Sequence, residues 1–248
     1  KIKPRGILIS RLENRIDILN FKKFKQGNPE LNNALFFGSA INKTVISHDG
    51  EFALVSSLME DVLYTIDLRT EKISEIPLNG YLANEIAISK SQTIALLTLK
   101  NLNGVAVIDL VNRRFKNIVD FGEASVFKTN NIVLDEDNTF AYVSVGLKNE
   151  ASTKKHYMAK LLLKNDLRYV ELVNTIKLEN QDSKNTTELS ILYVNQNPTD
   201  IIYKNETSSS DLNGLFRLNL QSFETSRFNF SNQNIKADSF SIENEMIY

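Results

Sequence analysis

Two histidines, His48 and His156, are the side chains that change charge most readily near neutral pH, and the chain has no cysteine. His48 lies in the turn-forming triplet His48-Asp49-Gly50, whereas His156 stands in a long polar segment of a different repeat. A zinc site needs three or four nitrogen or sulfur ligands, which these residues supply only if several carboxylates join them. We therefore predict that each histidine is structural or solvent-exposed rather than catalytic.

Oxygen ligands are densest in the run Asp135-Glu136-Asp137-Asn138, where Asp135, Asp137 and Asn138 are candidate metal ligands. Calcium takes six to eight oxygen ligands, and a turn of this composition supplies two or three of them. A β-turn that contains Asp and Asn needs no ion, so a purely structural role is the alternative. The complete spacing of an EF-hand loop is absent from the sequence.

No sequence motif for catalysis or cofactor binding is present. The serine run Ser208-Ser209-Ser210 lacks the Gly-x-Ser-x-Gly pattern of a nucleophile elbow, and none of the nine glycines forms a phosphate-binding loop. No two carboxylates are held at a fixed separation by the sequence pattern, so an acid–base pair is not assigned. We predict no catalytic residue and no cofactor.

Two long polar segments, Gly146–Tyr157 and Lys204–Gly214, are the candidate binding surfaces. Loops of this length are usually functional or mobile, although a tolerated surface insertion is the alternative. The candidate binding residues in them are Lys148, Asn149, Glu150, Lys154, Lys155, His156, Asn205, Glu206, Asp211 and Asn213.

Composition limits the classes of function. The 248 residues include 42% apolar and 24% charged residues, which are ordinary values for a globular protein. The net charge of −1 argues against a nucleic-acid partner. Apolar runs such as Ile94–Leu97 are far too short to cross a bilayer, and no signal peptide is visible, so we predict no transmembrane segment. Because the sequence begins at Lys1, we expect a processed form or a fragment.

A repeat within Thr44–Gly80 defines the elements that position these residues. Ile46-Ser47 recurs as Ile88-Ser89, and Ile66-Asp67-Leu68 recurs as Ile108-Asp109-Leu110, both 42 residues later. Within the first copy, apolar runs and turn residues predict four strands, at Val45–Ser47, Phe52–Ser56, Val62–Leu68 and Lys72–Leu78. The inner strands are apolar at successive positions, which predicts that both of their faces are covered.

The rest of the chain fits the same unit with longer connections. The first unit has its second, third and fourth strands at Gly6–Ser10, Arg15–Asn20 and about Phe21–Gln26. For the fourth to sixth units we predict strands at Asn131–Asp135, Ala141–Val145, Met158–Leu163, Ile191–Asn195, Asp200–Tyr203, Leu215–Leu220, Phe228–Phe230, Ser239–Glu243 and Met246–Tyr248. A period of about 40 to 50 residues with four antiparallel strands is typical of a β-propeller.

The repeat resembles those of YVTN-type β-propellers, best over residues 44–122. The pattern of that family is Ser-Pro-Asp-Gly, a strand, a variable loop, Val-x-Val-Ile-Asp, Thr-Gly-Lys, and a closing strand with glycine. Matching residues are Ser47, Asp49, Gly50, Ile66, Asp67, Leu68, Thr70, Lys72 and Gly80, whereas His48 replaces Pro and Glu71 replaces Gly. The resemblance implies an all-β fold, a single β-propeller domain over residues 1–248 with about five blades. Either these five blades close a ring, or they are part of a ring of six to eight blades. The last residues, Glu245–Tyr248, resemble a shortened Glu51–Leu54 and favour the second alternative, a fragment.

The resemblance implies a function in outline. We expect a non-enzymatic interaction or scaffold module that binds a protein or glycan partner through the face that carries the long loops. We also expect a periplasmic, cell-surface or secreted location, with a role as a subunit or domain of a larger assembly as one version. The alternative is a hydrolase similar to propeller lactonases, with a divalent ion in the central channel.

Overall fold

The structure is a computed structural model that describes residues 5–20, 31–121, 127–135, 137–147, 156–164, 169–177, 186–194, 200–207, 214–222, 224–227, 242–243 and 246–247. These residues form strands and turns and contain no helix. In particular, they include no helix of the length and apolarity needed to cross a membrane. Contacts divide the chain into two compact units, Lys1–Gly122 and Glu123–Tyr248.

The first unit contains three antiparallel sheets, which we call blades 1 to 3. Blade 1 has three described strands in the order β1-β2-β3, and blades 2 and 3 each have four strands in sequence order. The bounds are β1 Arg5–Ser10, β2 Arg15–Asn20, β3 Leu31–Phe36, β4 Ile41–Ile46, β5 Phe52–Ser57, β6 Val62–Asp67, β7 Lys72–Pro77, β8 Ala83–Ile88, β9 Ile94–Leu99, β10 Gly104–Asp109 and β11 Arg114–Asp120.

The second unit contains blade 4, blade 5 and a short hairpin, all antiparallel. Tyr142 and Met158 of blade 4 and Ile201, Tyr203 and Leu218 of blade 5 form a shared buried core. The bounds are β12 Phe127–Leu134, β13 Phe140–Leu147, β14 His156–Lys164, β15 Tyr169–Lys177, β16 Thr186–Val194, β17 Asp200–Thr207, β18 Gly214–Asn219, β19 Thr225–Arg227, β20 Ile242–Glu243 and β21 Met246–Ile247.

Both faces of the inner strands are covered, as the unbroken apolar runs predict. On β5, Ala53 and Val55 belong to the core that blade 2 shares with blade 1, whereas Leu54 belongs to the core shared with blade 3. Because successive side chains of a strand point to opposite faces, one continuous apolar run serves two cores. This is the reason that β5 and β9 are buried along almost their whole length.

Polar contacts also join blades 2 and 3. The side-chain amide of Asn42 donates to the carbonyl oxygen of Asn84 at 2.7 Å, and Lys43 pairs with Glu85 at 2.7 Å. A ring nitrogen of His48 lies 3.2 Å from the carbonyl oxygen of Ile88, so this nitrogen carries the proton. His48 therefore takes part in packing between blades, in agreement with the structural role predicted for it.

A bulge in the first strand of a blade is held by a hydroxyl of the second strand, and blades 2 to 4 repeat this contact. The hydroxyl oxygens of Ser56, Thr98 and Ser144 accept the backbone amides of Lys43, Glu85 and Asn131 at 3.0–3.2 Å. All three side chains are buried. A bulge leaves a backbone amide without its partner in the strand ladder, and a buried amide needs another acceptor. These three hydroxyl groups provide it, which explains why polar residues stand at buried positions of the blades.

The structure corrects two strands and the extent of two loops. The strand paired with β18 is Thr225–Arg227, not Phe228–Phe230, which lies outside the described residues. The strand paired with β2 is Leu31–Phe36, not Phe21–Gln26, which lies outside the described residues. The segments predicted as long loops are partly strand, because β13 extends to Leu147 and β17 to Thr207. Backbone pairing continues there even though the side chains are polar, since the ladder bonds only main-chain groups.

Candidate binding cleft

The candidate site is an open cleft of about 500 Å³ between blade 1 and the outer half of blade 2. Its volume falls in the range of ligand-binding pockets. The end of β3 and the link that follows it form one wall, and β6 and β7 form the other. The lining residues are Phe36, Phe37, Gly38, Tyr64, Ile73, Ser74 and Glu75.

Aromatic rings form the interior corner of the cleft. The rings of Phe37 and Tyr64 meet edge to face, with centroids 5.1 Å apart and planes at 72°. Tyr64 is 9% exposed, and both rings belong to the core between blades 1 and 2. Phe36 is 67% exposed at the mouth of the cleft. The corner is thus held rigidly by the core, whereas the ring of Phe36 is available for contact.

Two carboxylates place negative charge at the cleft. The hydroxyl of Tyr64 donates to Oε2 of Glu60 at 2.6 Å. Oε1 of Glu60 lies close to Gly38, where a Cβ atom would approach it to 3.3 Å, so glycine leaves room for the carboxylate. Glu75 pairs with Tyr64 across β6 and β7 and is exposed on the same face of the sheet. Glu60 and Glu75 therefore lie on either side of one phenol.

The pKa of Tyr64 reports on this environment. Burial, the hydrogen bond to Glu60 and the negative charges of Glu60 and Glu75 raise the pKa of Tyr64 to about 12. The phenol consequently stays neutral at physiological pH, and its one proton is committed to Glu60. Tyr64 thus fixes the Glu60 side chain and is not placed to act as a base or nucleophile.

The opposite face of β7 belongs to a different environment. The hydroxyl of Ser74 accepts a hydrogen bond from Arg113 of blade 3 at 3.4 Å. Neighbouring residues of a strand point to opposite faces, so Ser74 and Arg113 lie on the side away from Tyr64 and Glu75. This guanidinium does not enter the cleft face, whose charged side chains are carboxylates.

The metal-ligand candidates lie in the turn that joins β12 and β13. Asp135 is 4% exposed, and its Oδ1 accepts the backbone amide of Phe140 at 3.0 Å. Burial raises the pKa of Asp135, against the effect of the amide hydrogen bonds. Asp137 is exposed, and Asn138 adopts a left-handed conformation at φ 55°. The described residues include no group of three His, Asp or Glu side chains that could hold a metal ion.

The predicted binding residues are placed only in part. Lys148, Asn149, Glu150, Lys154, Lys155, Asp211 and Asn213 lie outside the described residues. His156 is the first residue of β14 and pairs with Gly146 rather than standing in a loop. Asn205 and Glu206 lie in β17, where they pair with Leu189 and Glu188 of β16. Their role in binding stays a prediction.

Sequence reasoning did not single out the residues of the cleft. Phe36 and Phe37 belong to blade 1, whereas Tyr64 and Glu75 belong to blade 2, so tertiary packing alone brings them together. One signal was present: the repeat aligns Tyr64 and Glu75 on adjacent strands, and Phe36-Phe37-Gly38 precedes the next blade. The link between blades 1 and 2 thus carries two adjacent aromatic residues, Phe36 and Phe37, although a connection between blades needs no aromatic side chain.

Comparisons with known proteins are informative at the level of structure. No protein-family model and no curated protein sequence matches the chain. Hydrazine synthase of Kuenenia stuttgartiensis matches 92% of this chain at 11% identity, with a TM-score of 0.70. The periplasmic gluconolactonase PpgL of Pseudomonas aeruginosa matches 86% at 14% identity, with a TM-score of 0.61. The β-propeller domain of Cps50 (Swd1) from Myceliophteria thermophila matches 87% at 10% identity, with a TM-score of 0.60.

The chain spans 63%, 62% and 65%, respectively, of the lengths of these three chains, slightly less than two thirds in each case. At such low identities the likeness establishes the fold and not the activity. The neighbours and the antiparallel four-stranded sheets together show that the chain has an all-β fold, that of a partial β-propeller.

Proposed function

We propose that this protein is a non-enzymatic interaction module that binds a protein or glycan partner, and that the cleft between blades 1 and 2 is a contact surface for that partner. The observation that carries this proposal is the exposed ring of Phe36 beside the buried Phe37–Tyr64 corner. Aromatic side chains are enriched at the centres of interfaces because they bury a large area at a low cost in conformational entropy.

The chemistry of the cleft supports binding over catalysis. Its carboxylates are engaged with, or adjacent to, a phenol that stays neutral, and no nucleophile with an adjacent base is present among the lining residues. Phe37 and Tyr64 of the lining belong to the core between blades 1 and 2, and such preorganisation lowers the entropic cost of association. A preformed aromatic surface with a polar edge is what a recognition site requires.

The resemblance to YVTN-type repeats extends the proposal to location and assembly. We infer a cell-envelope, periplasmic or secreted protein that acts as a scaffold or as part of a larger assembly. The lack of cysteine is compatible with an oxidising compartment. The long-loop residues, from Lys148 to His156 and from Asn205 to Asn213, form the second surface that we propose for partner contact.

Arrays of immobilised peptides and glycans test the proposal with the purified chain. We expect binding to a subset of peptides or glycans, and we expect Phe36→Ala to weaken it about tenfold because the exposed ring is lost. Leu12→Ala is the matched control, since Leu12 is fully exposed in the turn between β1 and β2. Hydrolysis of gluconolactone by the chain, with or without Ca²⁺, would contradict a non-enzymatic role, and so would the absence of any array signal.

A further inference from the structure

We propose that the cleft between blades 1 and 2 binds a positively charged side chain, lysine or arginine, of a protein partner. This inference rests on the proposed function, because it names the chemical class of the partner that the cleft accepts. It is carried by three features of the cleft: an exposed aromatic residue in its lining, a buried aromatic corner, and two carboxylates beside Tyr64.

The charged side chains of the cleft complement a cation. Glu75 lines the cleft and Glu60 is hydrogen-bonded to its wall, whereas none of the described lining residues is basic. Both carboxylates lie beside Tyr64, because Glu60 accepts the hydrogen bond of its hydroxyl and Glu75 is its cross-strand neighbour. A cation placed above Tyr64 would be attracted by both Glu60 and Glu75.

The hydrogen-bonding capacity of the cleft also favours a cation. A carboxylate accepts hydrogen bonds and does not donate them, and the proton of Tyr64 is already used by Glu60. The polar side chains on this face of the cleft therefore offer acceptors without donors. Ammonium and guanidinium groups are donors without acceptors, so they complement this set fully. A sugar hydroxyl both donates and accepts, and half of its capacity would remain unmet.

The apolar surfaces of the cleft suit the same side chains. The exposed ring of Phe36 carries the negative pole of an aromatic quadrupole on its face, which attracts cations. The methylene stem of lysine or arginine packs along apolar surface while its charged end reaches a polar partner. In this cleft Ile73 and Phe37 provide the apolar wall, and Glu75 lies exposed nearby.

The test uses the full chain and four pentapeptides, each with acetylated and amidated ends and sequence Gly-Gly-X-Gly-Gly. X is lysine, arginine, Nε-acetyl-lysine or glutamate, so the peptides differ in charge but hardly in length. Two-dimensional NMR titration measures each affinity at 20 mM and at 300 mM NaCl. Maltotriose is titrated as the uncharged glycan probe.

We expect the lysine and arginine peptides to bind and to shift resonances of Tyr64 and its neighbours. The acetyl-lysine and glutamate peptides should bind at least about tenfold more weakly, and added salt should weaken the lysine peptide because exposed charges are screened. Glu75→Gln should reduce lysine-peptide affinity about twofold to fivefold, the scale of one exposed charge pair. Glu51→Gln removes an exposed carboxylate of the same blade outside the cleft and should change affinity less than twofold.

The outcomes separate the inference from the proposed function. Equal binding of the lysine and acetyl-lysine peptides, or no effect of Glu75→Gln in a folded variant, would overturn the cation assignment. Binding of maltotriose that Phe36→Ala abolishes would also overturn it while leaving the interaction module intact. If no probe shifts any cleft resonance and the arrays are silent as well, both the inference and the proposed function fail.

Discussion

Blades 2 and 3 close their first hairpin with a serine, whereas blade 4 closes the same hairpin with a buried aspartate. In each blade the residue after the first strand, Ser47, Ser89 or Asp135, donates its backbone amide to a carbonyl oxygen five residues later. Its side-chain oxygen accepts the amide of that later residue, at 3.0, 3.2 and 3.0 Å. The geometry is therefore shared although the side chains differ.

The electrostatic state of the turn differs between the blades. In blade 2 the hydroxyl of Ser47 donates to Asp49 at 2.7 Å, and Asp49 accepts the amide of Glu51. Burial opposes ionisation of Asp49, but the hydrogen bonds from Glu51 and Ser47 prevail and lower its pKa. In blade 4 the carboxylate itself is buried, and burial raises the pKa of Asp135. The carboxylate of the blade 2 turn, Asp49, thus lies near the surface, whereas that of the blade 4 turn, Asp135, is buried.

The three turns share a side-chain oxygen that accepts a backbone amide at this position, but they do not share a charged group there. A neutral hydroxyl serves in two blades, so ionisation of Asp135 is a cost that blade 4 bears at neutral pH. The residue three positions into the turn is left-handed in all three blades: Gly50 at φ 72°, Gln92 at φ 59° and Asn138 at φ 55°. The backbone shape is constant, and the side chains vary around it.

Removal of the acceptor is expected to have the largest effect. Asp135→Ala should lower the free energy of unfolding by about 2 kcal/mol, because the amides of Thr139 and Phe140 both lose their acceptor. Ser47→Ala should cost about 1 kcal/mol, since one buried-turn amide, that of Phe52, loses its acceptor, and Asp49, which is near the surface, loses the hydroxyl donor of Ser47. Urea denaturation at pH 7 measures both, with Ser89→Ala as a second single-amide control. Equal losses for Asp135→Ala and Ser47→Ala would contradict the larger effect expected for Asp135, because the second amide bond of Asp135 would then be worth no more than the bond between Ser47 and Asp49.

Replacement of the charge alone should have the opposite sign. Asp135→Asn keeps an oxygen acceptor but removes the buried charge, so it should raise the free energy of unfolding at pH 7. A carboxyl with a raised folded-state pKa destabilises the fold when it is ionised, and this penalty is relieved as the pH falls through the folded-state pKa towards the unfolded-state pKa. The advantage of Asp135→Asn should therefore shrink on acidification, because wild-type Asp135 becomes neutral as well.

The matched control is Asp67→Asn. The amides of Thr70 and Arg69 lower the pKa of Asp67, although burial opposes them. Asp67 thus contributes stability at neutral pH that is lost as the pH falls through its folded-state pKa. Asp67→Asn should destabilise the protein at pH 7 and be nearly silent at low pH. If both variants follow the same trend between pH 7 and pH 4, Asp135 is not held in an unfavourable charged state.

The sequence predicted the parts of the structure that depend on local chemistry. All four strands of blade 2 lie within a few residues of their predicted bounds, and Gly50 adopts the positive φ expected of it. The unbroken apolar run at Phe52-Ala53-Leu54-Val55 correctly indicated burial on both faces, because alternation is lost when two cores are served.

The sequence did not predict features that depend on the meeting of distant segments. β3 was misplaced because strand pairing across the region of residues 21–30 has no local signal in the sequence. The cleft escaped notice because Phe36 and Tyr64 lie in different blades. Glu75 has the same local sequence pattern as any solvated strand residue, so the sequence does not mark it as part of a cleft, although the β6–β7 register places it opposite Tyr64.

The smallest effect on the free energy of unfolding is expected at two tyrosines, whose hydroxyl groups differ in hydrogen bonding. Tyr142 of blade 4 is fully buried, and among the described residues its hydroxyl has no hydrogen-bond partner. Burial and the nearby Asp135 raise the pKa of Tyr142. Tyr64 of blade 2 donates to Glu60 instead. Tyr142→Phe should therefore change the free energy of unfolding by less than about 0.5 kcal/mol or raise it, since the unpaired hydroxyl contributes only a desolvation cost.

Tyr64→Phe should lower the free energy of unfolding by about 1 kcal/mol, because a hydrogen bond to a charged acceptor is lost. Both variants keep the ring, so packing is unchanged and the difference isolates the hydroxyl group. Thermal and urea denaturation of the pair measure it directly. A loss of 1 kcal/mol or more in Tyr142→Phe would mean that this hydroxyl is satisfied by a buried water, and blade 4 would then hold a hydrated polar site between Tyr142 and Asp135.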